Sequence, residues 1–386
     1  MEQPLLEVIE DTNTDDVATT PTTSHEDNGG DTTTKKISRS CRRCCSCRCT
    51  CVTILLITIG ILSYIFWFLC CPAMKMLDCS DGDDACFSIN QLNEKYFDGG
   101  PYALYEDNPF WGDAVTIQTL VDYAENSGEC DDSCSSMIEN LVSAVHRRRS
   151  SLIVKQFSFA SWPSSGYEDA SYDDPLWWSL LYLNAGRVFD NHHFVDTSRI
   201  IFDWVYEKSW NASPINCDGG MCWEHEQGTA KNSDCYKNSI TNELAFTVAS
   251  GLHLSGRMKD DTYLTTAMEI YDWFESGFLN NDLELLISDF VGNECKSTPD
   301  YAPWSYTQGV VLNGLVNLYS ISGDAKYLST SIKLVNGVME LLVEEKAGLK
   351  VLKEIAGVVD RDGQLFKGIF VRNLQILLKE VSERVR

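Results

Sequence analysis

Positive charge is scarce in this 386-residue sequence: 31 Lys and Arg stand against 56 Asp and Glu, a formal net charge of -25. A surface field of that sign repels phosphate backbones and argues against nucleic acid as a partner, while a neutral polymer meets no such barrier. From Met1 to Thr34 there is no Lys or Arg at all, and large apolar residues are few. Such a segment cannot bury enough surface to offset its chain entropy, so residues 1–34 read as a disordered acidic tail. Beyond Trp111 the sequence also lacks convincing period-two strands. It has no Walker loop, no Rossmann glycine run and no Ser/His/Asp elbow, which leaves nucleotide-dependent and serine-hydrolase chemistry without support.

One long apolar run is present. Lys35, Lys36, Arg39, Arg42, Arg43 and Arg48 reverse the sign of the charge just before VTILLITIGILSYIFWFLCC, residues 52–71. About 20 apolar residues suffice to cross a bilayer as a helix. With the basic cluster ahead of it and Asp78, Asp81, Asp83 and Asp84 behind, the positive-inside rule places the N-terminus in the cytoplasm. The expectation is a single-pass type II membrane protein with everything after residue 72 lumenal or extracellular. A cleaved signal peptide is the competing reading; the run's length, its late start and the missing small-residue cleavage site count against it. Residues 72–96 then read as a linker, and 97–386 as one folded domain.

Sixteen cysteines fall into groups. Cys41, Cys44, Cys45, Cys47, Cys49 and Cys51 lie in the basic segment 35–51 at the cytosolic side of the span, where reversible palmitoylation is the functional reading. A zinc site is the rival, but no second pair follows Cys41 and Cys44 at finger-like distance. Cys70 and Cys71 end the span. The remaining eight, Cys79, Cys86, Cys130, Cys134, Cys217, Cys222, Cys235 and Cys295, predict disulfides in an oxidising compartment, with no pairing readable. Asn211-Ala-Ser213 is a glycosylation sequon consistent with that topology, weakened by Pro214.

Apolar spacing predicts helices over 113–126, 133–148, 174–186, 195–208, 238–255, 260–276, 306–321, 325–344 and 367–384. A pattern of helix, Gly, polar residues, aromatic and second helix recurs about every 70 residues, with Gly186, Gly256 and Gly323 at the expected helix C-termini. Solenoid repeats are shorter, about 34 to 47 residues. The long inserts at 209–237 and 278–305, carrying Trp210, Trp223, Trp304 and several cysteines, suit loops that build a cleft at one end of a toroid of paired helices.

Ser171-Tyr172-Asp173-Asp174-Pro175-Leu176-Trp177-Trp178 opens one of these helices. Asp174 makes a good N-cap and Pro175 a good first helical residue, so one aspartate is explained without any function. The second carboxylate and the flanking aromatics are not. Two like charges beside an apolar wall raise at least one pKa, which supplies one ionised and one protonated carboxyl. A glycosidase needs that pair.

YDDPLWWSLLYLNAG resembles the Asp-Asp segment of glycoside hydrolase family 76, the α-1,6-mannanases and related fungal cell-wall proteins. Four further stretches are similar to family motifs in order: GGMCWE (219–224), YKNSITNELAF (236–246), WSYTQGVVLNGLVNLY (304–319) and FKGIFVRNL (366–374). The resemblance covers roughly 97–386. It implies an all-α, (α/α)6 toroid and retaining, endo-acting hydrolysis of α-1,6-mannosidic linkages in mannan or mannose-bearing glycans, with Asp173 as nucleophile and Asp174 as acid/base. Transglycosylation of wall glycans is the alternative chemistry. A non-catalytic, membrane-anchored glycan-binding scaffold is the alternative class. Asp289 resembles a family position reaching the substrate, although a loop Asp is as often a turn former. Tyr172, Trp177, Trp223, Trp304 and Tyr306 are candidate sugar platforms, with core packing as the plainer role. Asn238, Gln308 and Lys367 could hydrogen-bond hydroxyls, with caps and solvated side chains as the plainer roles. His192-His193 and Glu224-His225-Glu226 lack the helical spacing of a zinc site, so no metal is expected. No cofactor is implied, because two carboxylates suffice. Twelve helices are implied where nine are counted, and EVSERVR still follows a helical pattern, so the toroid is expected to be incomplete at its C-terminus.

The topology yields a prediction. In sealed vesicles, a tag before Lys35 should be digested by added protease and one after Arg386 protected; digestion of the C-terminal tag would reverse the orientation.

Overall fold

The computed structural model describes residues 77–98, 104–105, 110–157, 171–210, 217–223, 235–257, 260–279, 287, 289, 303–354 and 361–385. All belong to one compact unit, 64–386. The expected tail 1–34, the basic cysteine-rich segment 35–51, the span 52–71, the Asn211 sequon and Glu224-His225-Glu226 lie outside the described residues. Among the described residues, no helix is long and apolar enough to cross a membrane.

Ten α-helices are described: α1 (Asp84–Tyr96), α2 (Phe110–Asn126), α3 (Asp132–Phe157), α4 (Asp173–Val188), α5 (His192–Ser209), α6 (Ser239–Leu254), α7 (Thr262–Phe274), α8 (Ser305–Ser322), α9 (Ala325–Leu341) and α10 (Arg361–Val385). A π-turn, Glu275–Leu279, prolongs α7. Nine of the ten correspond to expected helices. The tenth, α1, falls where a linker was expected; Asp83 caps it by accepting from Cys86 N at 2.9 Å, and a Cys79–Cys86 disulfide braces its start. Two antiparallel hairpins were also not anticipated. β1 (Phe97–Asp98) pairs with β2 (Leu104–Tyr105), and β3 (Val343–Lys346) with β4 (Leu349–Leu352). The second hairpin ends α9 three residues earlier than expected, because Ala347 and Gly348 adopt positive φ and turn the chain.

The helices alternate between two layers. Inner helices α2, α4, α6, α8 and α10 are neighbours in a ring, with α5 against α4, α7 against α6 and α9 against α8 outside it. Burial follows that placement. Residues Ser239–Ser250 of α6 and Ser305–Val316 of α8 are buried without interruption, as expected of helices surrounded by protein, whereas α9 buries one stripe, Tyr327, Ser331, Leu334 and Val338. Helix α10 buries Phe366, Ile369, Phe370 and Leu377, meets α2 through an Arg372–Asp122 ion pair, and leaves Val371 and Leu378 exposed.

Gly323 is the left-handed C-cap of α8 (φ 69°), and Asp324 then caps α9 by accepting from Lys326 N at 2.9 Å. Gly256 also has positive φ, directly after α6. Gly186 corrects the expectation: it lies inside α4, where a Cβ would come within 2.5 Å of Val195 Cγ2, so it permits close approach of α5. Asp190 (φ 48°) makes the turn instead. The disulfides are Cys79–Cys86, Cys130–Cys134 and Cys222–Cys235, and Cys217 is also disulfide-bonded.

At the α8–α10 contact a Cβ on Gly309 would stand 2.6 Å from Phe370 Cα, a backbone atom that cannot rotate away. Gly309→Ala should therefore destabilise the domain by about 1–3 kcal/mol, read as a lower melting temperature. An unchanged melting point would mean that the two helices can part freely.

Candidate active site

Helix α4 starts one residue earlier than its sequence suggested. Tyr172, not Asp174, is its N-cap, in a right-handed helical conformation and with no side-chain capping bond. The chain is pinned just before the helix by two backbone bonds, Tyr172 N to Trp223 O (2.6 Å) and Trp223 N to Tyr236 O (2.7 Å). Asp173 and Asp174 consequently both lie in the first turn, where the positive end of the helix dipole favours a carboxylate. Helix capping thus no longer accounts for Asp174.

The two carboxyls have different surroundings. Asp173 accepts from Trp223 Nε1 at 3.0 Å, and the Ser171 side chain and the backbone N–H groups of Asp173 and Asp174 also favour its ionised form. Burial still outweighs these donors and raises its pKa. Asp174 is pushed further, well above the carboxylate range, by burial first and then by the charge of Asp173. The pair titrates together, with the proton held preferentially on Asp174.

Other carboxyls converge on the same end of the ring. Asp289 is pushed up to about 7 by burial and then by the charge of Asp173, and its backbone oxygen accepts from Ser239 N at 3.0 Å. Glu243, one helical turn below Ser239, is wholly buried and held well above the carboxylate range by desolvation, then by Asp289. Asp362, at the start of α10, adds to the field on Asp174. All five inner helices begin here, so the positive ends of their dipoles face this concentration of acid.

An aromatic wall runs alongside. Trp177 stacks on Trp111 (centroids 5.7 Å), Trp111 on Phe366 (6.3 Å), and Phe366 on Tyr306 (3.9 Å), with Trp304 edge-on to Phe366 (5.5 Å). Trp304, Trp223 and Lys367 are half-buried.

Several candidates have other work. Tyr172 is buried against Trp204 in the outer layer. Trp177 is 2% exposed and serves mainly as the base of the wall. Asn238 caps α6, accepting from Thr241 N at 3.3 Å. Gln308 is wholly buried and grips Ile287 at both ends, accepting from its N–H (2.9 Å) and donating to its carbonyl (2.7 Å). Gln308 therefore places the loop carrying Asp289 and does not reach a hydroxyl. His192 and His193 stack on each other at the start of α5, and no metal-ligand cluster exists among the described residues.

Trp111, Phe366, Asp362, Glu243 and Lys237 join the site without having been singled out from sequence. Glu243 carried a signal, as the one charge in the apolar stretch ITNELAFTVASGL. Lys237 carried none. Buried beside Trp273, with burial drawing its pKa down to about 8, it donates to Gly219 O and so holds the loop that bears Trp223. That loop has positive φ at four successive residues, Cys217 to Gly220, and is tied further by two bonds between Met221 and Asn242 and by Cys222–Cys235.

The family model for glycosyl hydrolase family 76 matches residues 81–384. The mannan endo-1,6-alpha-mannosidase DFG5 of Candida albicans is 25% identical over 335 residues, 80% of this chain and 70% of its own length. The DFG5 mannosidase of Saccharomyces cerevisiae is 27% identical over 179 residues, 45% of this chain and 37% of its own. Among solved structures, an inactive variant of the alpha-1,6-mannanase GH76A of Salegentibacter sp. HEL1_6, in complex with alpha-1,6-mannotetrose, superposes with a TM-score of 0.59 at 20% identity, over 78% of this chain and 80% of that one. Dfg5 from Chaetomium thermophilum in complex with glucosamine gives 0.59 at 19% identity, over 78% and 73%. The mostly helical, layered ring is the fold of these proteins.

The raised pKa of Asp289 has a measurable consequence. Its folded value, about 7, lies above its ordinary 3.8. Between roughly pH 4 and 7 the folded chain therefore holds a proton that the unfolded chain has released, and stability falls as pH rises through that window. Asp289→Asn should raise the melting temperature relative to wild type more at pH 8 than at pH 4. A difference independent of pH would place Asp289 in ordinary solvent.

Proposed function

Because this chain belongs to glycosyl hydrolase family 76, and is thereby a glycosidase, we propose that it cleaves α-1,6-mannosidic linkages within mannan or mannose-bearing glycans, with retention of configuration. The observation that carries this reading is the unequal pair at the start of α4. Asp173 is served by several donors, and Asp174 is kept protonated by burial and by its neighbour's charge.

Asp173 attacks the anomeric carbon while Asp174 gives its proton to the departing glycosidic oxygen. The glycosyl ester on Asp173 is then opened by an acceptor that Asp174, now ionised, deprotonates. With water as acceptor the outcome is hydrolysis; with a sugar hydroxyl it is transfer. Trp223 holds Asp173 in line through its indole N–H, and the faces of Trp223 and Trp304 suit stacking against sugar rings. Asp289 and Lys367 lie at the same end of the ring and are assigned to substrate hydroxyls. Tyr306, stacked flat on Phe366, supports the wall. The donor set around Asp173 favours turnover over a purely glycan-binding scaffold, which has no need of an activated carboxylate.

The proposed setting is outside the cytosol, with residues 52–71 as the membrane tether. Three described disulfides suit an oxidising compartment.

Asp173→Asn and Asp174→Asn should each lower mannan turnover by several kcal/mol of barrier, about a thousandfold or more. An aryl α-mannoside, whose leaving group needs little proton donation, separates the roles. Asp174→Asn should still accumulate the glycosyl-enzyme from it, and Asp173→Asn should not. Product analysis with added oligomannoside distinguishes transfer from hydrolysis. Near-normal turnover by both variants would sink the assignment.

A further inference from the structure

The ring has a second pole. Because the inner helices all start at the catalytic end, all finish at the other, and there a separate cavity of about 480 Å³ lies between α2, α4, α6, α8 and α10. Asp173 opens α4 and Arg187, in its last turn, lines this cavity. At 1.5 Å per residue the two sites stand about 20 Å apart along one helix. None of the residues assigned to catalysis or sugar binding lines it.

Some of the charges around this cavity are paired with one another, while Asp190, Arg257 and Glu383 also line it. Arg187 forks onto Glu125 at 2.5 and 2.7 Å, Lys379 approaches Glu125 at 3.8 Å, and Arg372 pairs with Asp122 through Nε, its two outer nitrogens lying buried without a partner among the described residues. Two neutral groups are left over as well. Asn313, on α8, is only 7% exposed, lines the cavity, and its side-chain amide has no hydrogen-bond partner among the described residues. Asn184, half-buried on α4, also lines the cavity with a side-chain amide free among the described residues. Each such amide offers two donors and an acceptor. Leu180, Leu183, Val316 and Ile376 supply an aliphatic floor.

We infer that this cavity is a second binding site, distinct from the catalytic cleft, for a neutral polyhydroxylated molecule of about monosaccharide size. Free amides with an aliphatic floor match a ligand whose hydroxyls both donate and accept and whose ring carbons are apolar. The finishing turns of the helices contribute unpaired carbonyls, which favour ligands bringing hydrogen-bond donors. An anion meets a lining in which five carboxylates, Asp122, Glu125, Asp190, Glu380 and Glu383, outnumber four basic groups, and it meets the negative ends of five helix dipoles. A buried amide facing a cavity with no partner is costly to leave unfilled, and either a ligand or ordered water must satisfy it. The volume lies within the range of small-molecule sites, about 300–1,000 Å³.

The test uses the full-length chain with ¹⁵N-labelled asparagine, titrated separately with myo-inositol, D-mannose and inorganic phosphate. The expected result is saturable movement of the Asn184 and Asn313 side-chain amide signals with at least one polyol, and none with phosphate. Asn313→Leu should weaken the polyol-dependent Asn184 shift about tenfold, the worth of a lost hydrogen bond, while mannan turnover stays normal. Asn184→Ala, at a half-buried position, provides the reciprocal reading on Asn313 and stands in if Asn313→Leu does not fold. Amide signals that move with phosphate alone, or with no probe, would overturn the inference; the latter result would leave the cavity to ordered water. Polyol-dependent shifts unaffected in both variants would also overturn it.

Discussion

Everything in this domain depends on one geometric constraint: inner helices separated by outer ones must all point the same way. Each passage from an inner helix through an outer one to the next inner helix reverses direction twice, so α2, α4, α6, α8 and α10 begin at one pole and finish at the other. Their unsatisfied N–H groups gather at the first pole and their unsatisfied carbonyls at the second. The inner helices can lie close enough to share one core because small residues sit where they touch. Gly309 meets the backbone of Phe370, and Gly186 admits Val195 from the outer layer.

That polarity explains how the first pole tolerates five carboxyls. Asp173, Asp174, Glu243, Asp289 and Asp362 would repel one another in any open arrangement. Here the helix N-termini, Trp223 Nε1 and the Ser171 side chain favour the ionised form of one of them, and desolvation holds Asp174 and Glu243 neutral. A graded set of protonation states results without any basic residue at the centre. A buried base, Lys237, acts indirectly: it binds Gly219 and fixes the positive-φ loop that leads to Trp223. The state of Asp173 therefore depends on a loop of unusual backbone conformation, a buried lysine and a Cys222–Cys235 clasp, all remote from it in sequence. The clasp spans 13 residues, so it restricts the unfolded chain only locally, and its chief effect is on where Trp223 can stand.

The second pole is built from the same helices with the opposite sign. Carbonyl ends attract donors, and the residues that approach them, Arg187, Arg372 and Lys379, are basic and have drawn Glu125 and Asp122 to themselves. With those pairs formed, the side-chain amides of Asn184 and Asn313 remain free among the described residues to meet a guest. One set of helix directions thus gives an acid-rich cleft suited to chemistry at one end and a cavity of mixed charge with free amides at the other.

The helices were legible in the sequence because apolar spacing reports on the face a segment buries, and nine segments buried faces wide enough to show it. The paired carboxyls and their aromatic surroundings were legible as well, since Asp173, Asp174 and Trp177 lie within five residues of one another. So was the Trp223 loop, through its paired glycines. Local pattern went astray where a distant contact decided the outcome. Asp174 reads as a cap until Trp223 O and Trp223 N fix the chain before α4, and Gly186 reads as a helix end until Val195 is packed against it. Gln308 and Asn238 read as sugar ligands until Ile287 and Thr241 claim them. The sequence by itself determined the helical class and singled out Asp173 and Asp174 as a candidate pair, because both depend on neighbours within a turn or two. Only the tertiary structure decided which carboxyl keeps its proton, which polar residues remain free and that the ring has two unlike poles, because desolvation and pairing are set by residues brought together from helices far apart in the chain.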